Sequence, residues 1–214
     1  MRKMCMKNII LTFLIFLALF SVSYAAVSLP YWYSDENAYY RCANQPIAWY
    51  THYDNLFTTS QFAQSIQHAK NEWTDNGVSV NLTTDITSSN VKIYGGSWSR
   101  MKAINSQLSP QAMGNVEYTS YMQSEIVYHA GDMIIGNKSY NARMVIVYNE
   151  TFAEEPDNLY YKNIATHEMG HALGWYGHSD AADNVMNNSV SKFLTQVGNE
   201  DALHLTQIYD LYPY

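Results

Sequence analysis

Residues 166–186 read THEMGHALGWYGHSDAADNVM, and the fold is decided by this stretch. His167 and His171 stand four apart, so on a helix their rings project from one face and can grip a single divalent ion. Zinc suits them, because imidazole nitrogens are good zinc ligands and a catalytic site uses three protein ligands plus one position for water. Glu168, next to the first histidine, can reach that water rather than the ion, which makes it the candidate general base. Gly174 follows His171 by three residues, where a left-handed residue ends a helix and turns the chain back. His178 comes after that turn, and Met186 lies eight residues beyond it.

The run resembles the metzincin zinc-metalloprotease signature, H-E-x-x-H-x-x-G-x-x-H followed by a methionine turn. Within that clan it is most similar to the matrixins, in which serine follows the third histidine, as Ser179 follows His178. There is one departure. The family position for the third histidine falls on Gly177, and the histidine stands one residue later. Glycine can take backbone angles closed to other residues and so absorb the extra residue. Two third ligands stay open, His178 and, as the fallback, Asp180.

The resemblance implies an α+β catalytic domain. Its parts are a twisted, mixed, mostly parallel sheet, a long active-site helix, the methionine turn and a C-terminal helix. It implies one catalytic zinc, Glu168 as base, Met186 packed beneath the metal without ligating it, and protein or peptide substrates. Some metzincins carry a tyrosine two residues after the methionine; position 188 is Asn, so no such role is assigned. One alternative is a secreted zinc-containing binding or adhesion protein that keeps the fold and has lost turnover. The 19 tyrosines could serve such a protein by stacking on sugars, although half-buried strands use them as readily. Another is a metallohydrolase acting on a non-peptide bond. Retention of Glu168 favours the peptidase.

Residues 1–25 read as a secretory signal peptide. Arg2, Lys3 and Lys7 give a positive start, 9–20 is apolar except for Thr12, and Ser23-Tyr24-Ala25 offers small residues for cleavage. The apolar run is short for a bilayer, so an extracellular, monomeric protein without stable membrane association is expected. Removal leaves 214 − 25 = 189 residues, and three of the 12 basic but none of the 19 acidic residues are lost, for a net charge of 9 − 19 = −10. Such a chain lacks the clustered Lys and Arg that nucleic acid or anionic membrane requires.

Of two cysteines only Cys42 survives processing, so no internal disulfide forms. The thiol reads either as a small buried hydrophobe or as a latency group, since Arg41-Cys42 faintly resembles the matrixin pro-segment whose thiolate caps the zinc. The expected division is therefore 26–45 as a short N-terminal segment and 46–214 as the catalytic domain.

Along that domain, 47–52 predicts a strand, Thr59 or Ser60 starts a helix to about Thr74, and 78–82 and 91–94 predict two more strands. Phe62, Ile66, Ala69 and Trp73 share one face of that helix. Strand, helix and strand form a parallel, right-handed β-α-β unit. Residues 95–141 give a weak pattern, with one strand predicted near 125–129. His129 and Asp132 are the residues there able to serve a structural metal, and they read more simply as loop residues. Calcium, which can use backbone oxygens, leaves no sequence trace.

A strand is predicted at 144–148, then an active-site helix capped by Asp157 or Asn158 and anchored by Ile164, Ala165, Met169 and Ala172. Residues 191–197 are expected to wall the substrate pocket, and a final helix to run from about Asn199 to Tyr212. Asn81, Asn137, Asn149 and Asn187 lie in N-x-S/T triplets, which matter where the secreting cell glycosylates.

Overall fold

The computed structural model describes residues 39–42, 47–53, 56, 59–78, 80–83, 85–123, 127–129, 132–134, 137–175 and 177–210. The signal peptide expected at 1–25 lies outside them. No helix among the described residues is long and apolar enough to cross a membrane.

The strands are β1 (Tyr39–Cys42), β2 (Ile47–Tyr53), β3 (Val80–Leu82), β4 (Val91–Gly96), β5 (Gly114–Gln123), β6 (Val127–His129), β7 (Asp132–Ile134) and β8 (Asn137–Val147). The helices are α1 (Thr59–Asp75), α2 (Trp98–Ile104), α3 (Glu150–Ala153), α4 (Leu159–Leu173) and α5 (Asn199–Asp210). A mostly parallel sheet runs β1-β8-β4-β2-β3, and β5 joins β8 antiparallel along its other edge. This is the expected α+β architecture, with β2, α1 and β3 forming the parallel crossover.

The core explains why α1 and α4 lie together. Phe62, Ile66, Ala69 and Trp73 of α1 are buried with Ile164, Ala165, Met169 and Ala172 of α4 in one cluster that also takes in the sheet residues Val91, Ile93, Met144 and Ile146. Each large side chain so buried contributes about 1.5–3 kcal/mol. Trp73 also donates its Nε1–H to the carbonyl of Thr166 at 2.9 Å, which fixes α4 one residue before His167.

Three local expectations need correction. The weakly patterned region is richer in strand than foreseen: the strand predicted near 125–129 is present as β6, but β5 and β7, the antiparallel partner of β6, were not predicted, and β8 begins at Asn137 rather than near Met144. As an edge strand with polar Glu117 and Ser120, β5 has no continuous apolar face to betray it; the first half of β8 is equally polar, held by β1 and β5 on its two sides. Neither Asp157 nor Asn158 caps α4 with its side chain. Both have positive φ, 60° and 55°, in the turn Pro156–Asn158, and the Asn158 amide donates instead to Gln64 Oε1 at 3.0 Å. The short helices α2 and α3 were also unforeseen, and α5 runs to Asp210, the last described residue.

Candidate metal centre

Helix α4 presents His167 and His171 on one face and buries the opposite one. It stops where Gly174 takes φ 125°, its N–H bonding to the carbonyls of Gly170 at 3.1 Å and His171 at 3.0 Å. The chain then turns through Gly177 at φ 79°, the glycine-favoured angle that accommodates the additional residue. His178 arrives beside the other two: ring centroids are 4.7 Å apart for His167 and His171, 5.1 Å for His167 and His178, and 5.0 Å for His171 and His178. One ligating nitrogen from each of the three lies within 4.8 Å of the others. Asp180 is exposed and does not belong to this group.

The tautomers follow from the partners. His167 Nδ1 faces the carbonyl of Val185 at 2.8 Å, and His171 Nδ1 faces that of Trp175 at 2.8 Å. A carbonyl can only accept, so each Nδ1 carries the proton and each Nε2 is a bare lone pair. Those two Nε2 atoms lie 3.1 Å apart. Two lone pairs so close with no hydrogen between them suit a shared cation, and two nitrogens bound to one tetrahedral zinc sit about 3.3–3.4 Å apart, as Zn–N bonds of about 2.0–2.1 Å require. The residues fit zinc.

Electrostatics agree. Burial pushes His167 down to about 4, with His178 adding to the effect, while the Val185 carbonyl opposes it. Burial likewise takes His171 well below its ordinary value and lowers His178. All three imidazoles are therefore neutral near pH 7 and able to ligate a cation. The Glu168 carboxyl is buried, and that burial raises it to about 8.

The segment after His178 folds back on the site. Ser179 N–H donates to the carbonyl of Met186 at 2.8 Å, and the Asn187 amide donates to the carbonyls of Ser179 at 3.1 Å and Ala181 at 3.2 Å. This turn places Met186, fully buried, under Gly170. It also carries Val185, whose N–H is held by Asp201 of α5 at 2.9 Å while its carbonyl holds His167.

The three histidines and Glu168 open into a cleft of about 450 Å³, walled on one side by Gly114, Val116 and Tyr118 of β5 and on the other by Asn188 and Val190. The sequence model of the matrixin family matches residues 44–210.

The chain is a matrixin.

It is thus a zinc metalloendopeptidase, and the histidine triad fits the family's zinc. Among solved structures the matrixin chain is similar to one titled "Structure of Myroilysin", at 10% identity and TM-score 0.39, covering 81% of this chain and 80% of that one. A search of curated proteins gave no match.

Other residues singled out from the sequence are placed as follows. Cys42 ends β1, its backbone in register with Tyr140 of β8, and its side chain lies outside the described residues, as do those of His129 and Asp132, which are paired across β6 and β7. Two important residues of this matrixin were missed. Asn163, one helical turn before His167, is buried, donates to the carbonyl of Leu194 at 2.6 Å and accepts from Ser191 N–H at 2.9 Å, so it ties the 191–194 segment to α4. Tyr118 donates its hydroxyl to the carbonyl of His171 at 3.1 Å, tying β5 to the same helix. Asn163 could have been found by its i, i+4, i+8 alignment with the two histidines. Tyr118 leaves no such signal.

Proposed function

We propose that this matrixin is a secreted endopeptidase in which His167, His171 and His178 hold one zinc and Glu168 is the general base. The observation that carries the reading is the convergence of three imidazoles, with the Nε2 lone pairs of His167 and His171 facing one another, beside a buried carboxyl in a cleft bordered by an edge strand. When bound, zinc supplies a Lewis acid that polarises the scissile carbonyl and acidifies a water.

The chain's own groups do the rest. Glu168, left ionised because a bound zinc's positive charge offsets the burial that raises it, takes the proton of the attacking water on its carboxylate and passes it to the leaving amine. Val185 and Trp175 carbonyls keep the Nδ1 protons of His167 and His171 in place, so that both Nε2 lone pairs stay turned inward. Among the described residues β5 pairs with β8 alone, which leaves its cleft-side backbone for an extended peptide to add as a strand. That geometry favours a peptide over other hydrolysable bonds. The basic start and apolar run of 1–25 support export with cleavage after Ala25.

The experiment is hydrolysis of an unfolded protein substrate by the purified protein, with and without a chelator. Cleavage that stops on chelation and returns with zinc is expected; a zinc-loaded protein that cuts no unfolded protein contradicts the proposal. Export is checked by sequencing the N-terminus of protein recovered outside the expressing cell.

A further inference from the structure

We propose that Gly114, the first residue of β5, is a positioning residue for the Glu168 carboxyl, and that its missing side chain makes the slot in which the base lies. The inference rests on Glu168 acting as the base. A Cβ on Gly114 would stand 2.5 Å from Glu168 Cγ, 2.6 Å from Oε1 and 2.7 Å from Cδ. Those distances are below any that real Cβ atoms tolerate, so glutamate in this position and a side chain at 114 exclude each other.

Backbone geometry does not explain the glycine. Among the described residues the glycines with positive φ are Gly77, Gly174 and Gly177, so Gly114 has angles that alanine adopts freely. A glycine inside a strand weakens it, and here the compensation is space.

Neither backbone can withdraw to make room. Gly114 is paired with Ile146 of β8, and Val147 N–H donates to the carbonyl of Met113 at 2.8 Å just before it. Across the cleft, α4 is fixed by the Trp73 bond to Thr166 and by the Tyr118 hydroxyl on the carbonyl of His171. The soft element is the Glu168 side chain itself. With a methyl group at 114 it must rotate toward the open cleft and lose its place beside the three imidazoles. The fold survives this change, whereas proton transfer, which needs the carboxyl within hydrogen-bond reach of the water, does not.

The test introduces Gly114→Ala into the wild type and into Glu168→Ala, and measures zinc content, kcat, KM and Tm. In the wild type, zinc content is expected to hold and KM to change by less than about twofold, while kcat falls about a hundredfold, the scale of a misplacement near 1 Å. Tm is expected to fall in the wild type and to hold or rise in Glu168→Ala, where the slot is empty. A kcat within about twofold of wild type overturns the proposal, as does an equal Tm change in both backgrounds. If the wild type cleaves nothing, the peptidase reading fails on its own; the two Tm changes then still decide the Gly114–Glu168 contact, unequal shifts supporting it and equal shifts overturning it.

Discussion

Gly170 lies directly over Met186: a Cβ on the glycine would stand 2.4 Å from the methionine Sδ and 2.8 Å from Cζ2 of Trp73. Helix α4 and the methionine turn therefore touch through the one residue between the two ligands of the H-E-x-x-H run that carries no side chain. Met186 and Trp73 are both fully buried, so neither can step aside cheaply.

Gly170→Ala is accordingly expected to destabilise the protein, although alanine is the better helix former by up to about 1 kcal/mol. Overpacking a buried contact costs about 1–3 kcal/mol. At about 2–4 °C per kcal/mol for a domain of this size, a thermal melt reads the result. A raised Tm in Gly170→Ala contradicts the contact.

Third-ligand identity is the point at which the sequence left two choices, and the geometry favours His178 over Asp180. His178→Ala is expected to lose tight zinc binding, and Asp180→Ala to keep it. Competition with a chromogenic chelator measures both, and the reverse ranking speaks for the carboxylate.

Asn163 makes a further prediction. Asn163→Ala strips the partners from Ser191 N–H and the Leu194 carbonyl, at a cost of about 1–3 kcal/mol, and loosens the segment that follows the cleft wall at Val190. Zinc content should hold while KM for peptide rises. An unchanged KM shows that this segment does not shape the substrate pocket.

Asp201 links the C-terminal helix to pH. Burial raises its carboxyl from 3.8 to about 6, with a contribution from Glu200 and against its hydrogen bonds from Val185, Gly198 and Met186. A carboxyl with a raised folded value favours the folded state fully below the unfolded value, and this contribution is lost as pH rises through about 6. Two pH units correspond to about 3 kcal/mol at most. Asp201→Asn, which keeps an acceptor for Val185 without the charge, should remove that loss. Melts of both proteins between pH 4 and pH 7 should diverge, the wild type losing ground to the variant as pH rises; parallel curves contradict the assignment.

Much of this site could be read from the chain because its chemistry is local. His167 and His171 share a helix face by spacing alone, with Glu168 next to the first of them, and Gly174 and Gly177 announce the turn that returns His178. Phe62, Ile66, Ala69 and Trp73 likewise show their buried face by period. What stayed hidden depends on partners far along the chain. The slot at Gly114 exists because β5 docks beside Glu168, more than fifty residues later in the sequence. The αL turn at Asp157 and Asn158 defeats the usual capping rule, because Asn158 finds Gln64 on another helix. Asp201 becomes a support of His167 through the backbone of Val185, whose N–H it holds and whose carbonyl holds the imidazole, a relation no periodicity encodes.

The most direct measurement is zinc content and peptide turnover determined side by side for the wild type and Glu168→Ala. With Glu168 as the base of a zinc held by three histidines, the variant keeps its zinc and loses turnover by about a hundredfold or more. A variant that holds zinc and still cleaves within a few fold of wild type contradicts the assignment of Glu168, and with it the proposed mechanism.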